Sequence, residues 1–530
     1  MPRVPCRYGL CGQRIVTRQV IKLGSSSIAS RDGLALDVIA GLVSQVAAAQ
    51  RVGHEIILVT SGAARLGRRL LAFEGPTAGA APALRALVES VRSSVQQAAG
   101  GAATDAAGAA AGSENARLAD ALQQTLRHYE APQAPAPGLD PALPAAVGQP
   151  ALMALYRQLA AAVGVEVCQV LVSRSDLESP RAMGDLGQLL KEAAGRGLLA
   201  VVNGNDATDP LSALDNDQVA VAVAVAAEAS RLLFLTDVRA AYRDAALRDR
   251  IVRLTPAEAR AVRATPAGTG RGGMGSKLSA AARAACCGVE CVIGSAREPD
   301  VVSRSLNPRA RMGTVVRAAG PPLEPSRRWI GGMAYSAGSL HVNRDAEVSL
   351  RTGSTLFLSG VKRVDGDFAA GAVVELLDVR HPERLLGRGS VALPSSILRL
   401  LRALSPQQVA CVISILLRLR YAGHAAAPDG EPAADGPSAL TDPGAYPDCK
   451  ELAGGDSRAS REAFAQVAAF SPDRVAELAD SLMLAQPGLC ATFLLHGGFL
   501  RGQVPAEAAA RRVLRDIHAV HRESLVVYPG

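Results

Sequence analysis

The segment GTGRGGMGSK, residues 268–277, has the composition of a loop that binds phosphate groups. Glycines let backbone N–H groups approach phosphate oxygens, and a lysine neutralises their charge. The final residues differ from those of a P-loop, because Lys277 follows Ser276 and the residue immediately after it is not serine or threonine. The sequence therefore predicts an anion-binding loop outside the P-loop class.

Two further candidates lie within or directly after apolar runs of the kind that form buried strands. Lys22 lies within VIKLGSSS, where a phosphate contact and a buried ion pair with a carboxylate are alternative interpretations. Ser61 follows EIILVT at the expected start of a helix. An anion site at that helix N-terminus competes there with an ordinary helix cap.

A dense group of acids and amides occurs in VVNGNDATDPLSALDNDQVA. Its members are Asn203, Asn205, Asp206, Asp215, Asn216 and Asp217. Turns use Asn and Asp freely, but six in one stretch exceed what a turn needs. They suit binding of an ammonium group, positioning of lysines, or holding Mg²⁺ through a substrate phosphate. The next apolar run, LLFLTDV, ends in Thr236 and Asp237.

The elements that position these residues alternate between short apolar strands and longer helical patterns. This alternation predicts an α/β fold, with a mainly parallel sheet sandwiched by helices. Ligands bind such sheets outside the carboxyl ends of the strands, where the polar residues lie. Two lysines, a glycine-rich backbone and an acidic group near one edge suit phosphoryl transfer.

The 530 residues divide into two predicted domains behind a leader at 1–18. We predict an α/β domain at 19–320 and a small, mostly β domain at 326–530 with a helical insertion. Insertions at about 74–140 and about 417–515 contain stretches rich in alanine, glycine and proline, which bury too little apolar surface to pack.

Composition narrows the class of protein. The net charge of +8 fits anionic small substrates or weak nucleic-acid contact. Nine cysteines show no pairing pattern, and Cys286, Cys287 and Cys291 are interpreted as buried apolar residues in preference to a zinc site. No apolar run is long enough to span a membrane. We expect a cytoplasmic protein, with an arginine-containing N-terminus as a weak indication of organelle targeting.

Seven motifs occur in an order that resembles the amino acid kinase family. They are IKLGSS, VTSGA, AAVGQ (Ala145–Gln149), NGND, DND, FLTD and GGMGSK, and the resemblance spans residues 19–316. The later domain resembles a PUA domain, in RRWIGG from Arg327, GSTLFLSGVKRVDGDF, and AVHRESLVVY near the C-terminus. This combination is typical of the family members that phosphorylate L-glutamate.

The resemblance implies roles for individual residues. The implied catalytic residues are Lys22 and Lys277, which contact the transferring phosphoryl group, and Asp217, which orients them. The implied substrate-binding residues are Ser61, Asp206 and Asn216. The implied ATP-binding residues are Lys22, Thr236, Asp237, Arg271, Gly272, Gly273, Met274, Gly275, Ser276 and Lys277. Mg²⁺ is expected to arrive with ATP, without a metal site on the protein itself.

The implied activity is ATP-dependent phosphorylation of the side-chain carboxylate of L-glutamate, the first step of proline biosynthesis. The resemblance also implies a homo-oligomer and proline as a feedback inhibitor. An acetylglutamate or aspartate kinase of the same family is an alternative, as is RNA binding through the PUA-like domain, which we do not expect. Gly204, Leu214 and Arg271 depart from the family pattern.

Overall fold

The computed structural model describes residues 16–71, 142–209, 215–262, 273–402, 470–485 and 518–528, with gaps at 25–26, 31–32, 245, 308–309 and 311, and the single residues 409, 412, 413 and 416. The chain divides into two compact units, Met1–Ala334 and Tyr335–Gly530. The predicted leader and both alanine- and glycine-rich stretches lie largely outside the described residues.

The first unit is built on one eight-stranded sheet. Its strands are β1 (Arg18–Leu23), β4 (Glu55–Val59), β5 (Val167–Val172), β6 (Leu199–Gly204), β7 (Arg231–Thr236), β8 (Arg253–Leu254), β9 (Glu290–Ser295) and β10 (Thr314–Val316). Their order in the sheet is β5-β6-β4-β1-β7-β9-β10-β8. A short hairpin, β2 (Ala29–Ser30) and β3 (Gly33–Leu34), follows β1. All pairs in the large sheet are parallel except β9 with β10, so the predicted α/β fold class is confirmed.

Helices cover both faces of this sheet. They are α1 (Leu36–Arg51), α2 (Ala63–Leu71), α3 (Ala142–Ala162), α4 (Arg174–Glu178), α5 (Pro180–Gly195), α6 (Asn216–Ala226), α7 (Pro256–Ala261), α8 (Met274–Cys286), α9 (Val301–Leu306) and α10 (Pro325–Arg328), followed by a π-helical turn at Trp329–Met333. One core packs α5, α6 and α8 on one face, and a second packs α1, α3 and α9 on the other. Burial of apolar side chains on both faces is what stabilises a parallel sheet.

The first unit ends at Ala334, 14 residues after the predicted end of the α/β domain at 320 and 8 residues after the predicted start of the second domain at 326. The RRWIGG segment packs within the first unit instead of opening the second. Its Trp329 donates a hydrogen bond from Nε1 to the Leu177 carbonyl at 2.9 Å, and Arg328 pairs with Glu228 at 2.7 Å. Because the indole N–H and the guanidinium both bond to residues of the first unit, the segment is held there.

The second unit contains a six-stranded mixed sheet. Its strands are β11 (Ser339–Val342), β12 (Leu356–Phe357), β13 (Val361–Asp365), β14 (Val373–Asp378), β15 (Leu385–Val391) and β16 (His518–Val527), in the order β12-β16-β15-β14-β11-β13. Among its described residues, the helices α11 (Arg344–Arg351), α12 (Ser395–Leu401) and α13 (Pro472–Ala485) accompany the sheet. A mostly β second domain is thereby confirmed.

Helix α13 gives a structural role to part of the predicted insertion at 417–515. Val475, Leu478, Ala479 and Leu482 are buried in the same core as the strands of the second unit. Their spacing of three and four residues places them on one helix face. This part of the insertion therefore covers the β core.

The three clustered cysteines lie in the first core. Cys286, Cys287 and Cys291 are all buried, and none of the three forms a disulfide bond within the described residues. Burial raises the pKa of the Cys286 thiol to about 12, which keeps it protonated. Among the residues that the structure describes, no helix is long and apolar enough to cross a membrane.

Candidate active site

The carboxyl ends of β6, β4, β1 and β7 are adjacent in the sheet, and the predicted polar residues lie there. Lys22 is near the end of β1, Ser61 follows β4, and Thr236 ends β7. Parallel strands deliver their C-terminal residues to one edge, so residues far apart in sequence meet.

Helix α6 organises this edge through the three residues of its DND motif. Asp215 is the N-cap, and its carboxylate accepts hydrogen bonds from the Asp217 N–H at 3.0 Å and from the Ser276 hydroxyl at 2.8 Å. Asn216 donates from Nδ2 to the Ser61 hydroxyl at 2.7 Å. The side chains of Asp215 and Asn216 therefore contact different partners.

The third residue, Asp217, holds both predicted lysines. Its Oδ1 lies 2.5 Å from Lys22 Nζ, and its Oδ2 lies 3.4 Å from Lys277 Nζ. The carboxylate is fully buried, and the lysine side chains are 6% and 7% exposed. The lysines, one on β1 and one on α8, therefore converge on one point.

This arrangement prepares a site for an anion. The three side chains together carry one net positive charge, in a buried setting where water screens charge poorly. Asp217 also lies in the first turn of α6, where the helix dipole stabilises a carboxylate. The two interpretations of Lys22, as a phosphate contact and as the ion-pair partner of a carboxylate, are therefore compatible. The ion pair with Asp217 fixes the lysine in a position from which it can contact an anion.

Ser61 lies in a turn between β4 and α2 that contains a glycine with positive φ. Gly62 after it has φ of +103°, a backbone region that favours glycine, and α2 begins at Ala63. Thr60 before it bonds the Tyr156 hydroxyl at 2.7 Å. Burial raises the pKa of Tyr156 to about 12, although the Thr60 bond opposes this, so the phenol stays neutral.

Gln149 is a residue of the site to which the sequence analysis assigned no role. It lies on α3, is 9% exposed, and accepts a hydrogen bond at its Oε1 from Asn203 Nδ2 at 2.9 Å. Its own amide nitrogen has no hydrogen-bond partner among the described residues. A buried amide N–H is costly without an acceptor, which is what a bound carboxylate supplies. The AAVGQ motif contained the only sequence signal for it.

Two helices that flank the edge meet at a pair of glycines. A Cβ at Gly148 of α3 would lie 1.8 Å from the Ala63 carbonyl oxygen, and one at Gly67 of α2 would lie 1.7 Å from the Pro144 oxygen. Only glycine fits at such a backbone approach. The glycine before Gln149 therefore sets how closely α3 approaches Ser61.

The remaining predicted residues lie near the same edge where they are described. Asp237 is exposed directly after β7, and Thr236 bonds the Val238 backbone. Gly273 is the N-cap of α8, so Met274 and Gly275 form its first turn. Arg271, Gly272 and Leu214 lie outside the described residues.

The substrate candidate Asp206 lies in a turn that follows β6. Asn205 anchors that turn, because its N–H donates to the Val172 carbonyl at 2.9 Å. Gly204, where the sequence departs from the family pattern, is the last residue of β6 and is buried.

Basic residues of the segments that resemble a PUA domain form contacts within the protein. Arg328 pairs with Glu228, Arg363 pairs with Asp365 at 2.7 Å, and Lys362 donates to the Ser359 carbonyl. Hydrogen bonding to Arg363 lowers the pKa of Asp365.

Comparison with known proteins gives the class to which this fold and site belong. The profile of the amino acid kinase family matches residues 17–295, and that of the PUA domain matches residues 338–407. The chain belongs to the amino acid kinase family and carries a C-terminal PUA domain.

Curated relatives narrow the comparison to one enzyme. Glutamate 5-kinase of Gloeobacter violaceus is 31% identical over 411 residues, which cover 75% of this chain and 94% of the relative. Glutamate 5-kinase of Proteus mirabilis is 28% identical over 74% of this chain and 94% of its own length. That of Prochlorococcus marinus is 37% identical over 48% of this chain and 73% of its own length.

Proposed function

We propose that this protein transfers the γ-phosphoryl group of ATP to the side-chain carboxylate of L-glutamate. A carboxylate oxygen attacks the γ-phosphorus, the bond to the β,γ-bridging oxygen breaks, and its electron pair leaves with ADP. The product is L-glutamyl 5-phosphate. The convergence of Lys22 and Lys277 on the buried Asp217 carries this proposal, together with relatives named glutamate 5-kinase that match along 94% of their length.

The two lysines would stabilise the charge that spreads over the migrating phosphoryl group. Asp217 would keep them in place without touching the substrate, because its two oxygens already face the two ammonium groups. The glutamate carboxylate is ionised at neutral pH, so the reaction needs no general base.

The remaining groups would bind the two substrates. Ser61, Asn216 and Asp206 would hold glutamate, with Asp206 near its ammonium group. Thr236, Asp237 and the start of α8, with Arg271 and Gly272, would hold ATP. Mg²⁺ would enter on the ATP phosphates, since Asp215 and Asp217 are occupied by protein donors.

Hydroxylamine trapping tests the proposal. Purified protein with ATP, Mg²⁺ and L-glutamate should yield γ-glutamyl hydroxamate, and less of it when proline is added. N-acetylglutamate and aspartate serve as competing substrates in parallel reactions. Hydroxamate formed faster from either of these would assign the chain to a sibling activity, and none from any substrate would refute the kinase.

A further inference from the structure

We propose that a cavity lined by Arg231, Arg253, Arg304 and Arg317 around Glu290 binds a small phosphate-bearing molecule. This arginine cavity has a volume of about 370 Å³. Small-molecule sites in proteins begin at about 300 Å³. The inference does not depend on the proposed function, because the cavity shares no residue with the site above.

The topology of the sheet assembles the arginine cavity. Arg231 and Glu290 are the first residues of β7 and β9 and are register partners. Farther along the edge, Arg253 of β8 is the register partner of Val315 of β10. Register partners share a sheet face, so these charged residues lie on the face that α9 covers. Helix α9 contributes Arg304 to the wall.

This cavity lies at the amino ends of β7 and β9, opposite the candidate active site. Arg231 and Thr236 are the two ends of β7, and five strand steps separate them by about 16 Å. A ligand in the cavity therefore does not compete with groups bound near Thr236.

The charges of the cavity are only partly compensated. Arg231 is 11% exposed and is fixed by Glu290 at 2.8 Å and by the Ser305 carbonyl. Arg304 lies 3.6 Å from Glu298. Within the described part of the chain, Arg253 and Arg317 form no ion pair with a carboxylate. Four guanidinium groups facing one carboxylate across a concave surface create a positive potential that an anion relieves.

The shape and lining favour a phosphate ester over a polymer. Guanidinium groups match phosphate oxygens with paired N–H donors. Val292, Met312 and Val315 line the same cavity and offer an apolar surface to the rest of the ligand. A recess of this volume accommodates a small molecule, whereas a nucleic acid needs a groove that continues along the surface.

Isothermal titration of the full-length protein with inorganic pyrophosphate tests the inference. The Arg253→Ala/Arg317→Ala variant should lose one binding event per chain or bind there about tenfold more weakly, the scale of losing a charged hydrogen bond. An Arg181→Ala/Arg196→Ala variant removes the same charge from exposed helix positions and should bind like the unmodified protein. Thermal unfolding of both variants checks that the fold is kept.

Three outcomes would overturn the inference. The first is that the cavity variant and the unmodified protein bind pyrophosphate equally well. The second is that citrate binds to the cavity more tightly than pyrophosphate. The third is that a ten-nucleotide RNA binds to the cavity more tightly than pyrophosphate. The second result would assign a carboxylate site, and the third a nucleic-acid surface. If the unmodified protein forms no hydroxamate but binds pyrophosphate in the cavity, the proposed function is refuted and the inference about the cavity stands.

Discussion

The two edges of the large sheet both gather cations, but they hold them differently. At the carboxyl edge, Lys22 and Lys277 are almost fully buried and share the carboxylate of Asp217. At the amino edge, Arg253 and Arg317 are exposed, and among the residues that the structure describes Glu290 forms an ion pair with Arg231 only. Burial fixes the lysines in one geometry, as group transfer requires, while exposed arginines adapt to a ligand.

The largest expected effect comes from removing the shared carboxylate. Asp217→Asn keeps the shape but leaves two buried ammonium groups facing each other, and should lower kcat by about 10²–10³-fold or more. Hydroxamate formation under saturating substrates measures kcat. Asp185→Asn, which changes an exposed side chain of α5, is the matched control. A kcat within about threefold of normal would show that the carboxylate does not position the lysines.

Loss of one lysine should have a smaller effect than loss of the carboxylate that holds both. Lys277→Ala removes one charge contact to the phosphoryl group and should reduce kcat by about 10²-fold. Lys191→Ala, which breaks an exposed ion pair with Glu228, is the control and should leave kcat unchanged. Comparable losses in both variants would remove Lys277 from the catalytic set.

The glycine contact between α2 and α3 is a test of stability. Gly148→Ala forces a methyl group against the Ala63 carbonyl and should lower the free energy of unfolding by about 1–3 kcal/mol. Gly184→Ala on α5 meets no atom within 4 Å and should be neutral or slightly stabilising. Urea unfolding measures both, and equal stability of the two variants would contradict the close approach.

Gln149→Leu removes the unpartnered amide near the substrate candidates. We expect the KM for glutamate to rise about tenfold while the KM for ATP stays constant, since one hydrogen bond to a charged group is lost. Gln50→Leu on α1 is the control, because both polar side-chain atoms of Gln50 are buried and have no hydrogen-bond partner among the described residues. A change in the KM for ATP with no change in the KM for glutamate would show that Gln149 does not contact glutamate.

The smallest effect should come from the amino edge. Glu290→Gln breaks the ion pair with Arg231, yet it should leave kcat within about twofold, because a partly exposed pair contributes about 0–1 kcal/mol. Trapping assays on this variant and on Asp217→Asn make the comparison direct. A loss of kcat that approaches that of Asp217→Asn would show that the two edges are coupled.

The sequence predicted the long strands because each is a run of buried apolar residues bounded by glycine or polar turns. It missed β2, β3, β8 and β10, since two or three residues carry no periodic signal. It placed Lys22, Asp217 and Lys277 in one site. It did not show how the DND motif divides its contacts, because Ser276 and Ser61, the partners of Asp215 and Asn216, lie 61 and 155 residues away.

The arginine cavity at the amino edge could not be predicted from local sequence patterns. Arg231, Arg253 and Arg317 are scattered through unrelated segments. Pairing of the strands that contain Arg231 and Arg253, and of the strand that Arg317 follows, brings them to one cavity. The same is true of Gln149, whose partner Asn203 lies 54 residues later. Long-range pairing of this kind is a property of topology rather than of local pattern.

The contact between Gly67 and Gly148 has a consequence for the length of the chain. The backbone leaves α2 at Leu71 and returns at Ala142, on two helices that already touch. Closing a connection between such neighbouring points costs an entropy that grows only with the logarithm of its length, about 0.6 kcal/mol for each doubling. A change in the number of residues that join α2 to α3 therefore alters this closure entropy only slightly.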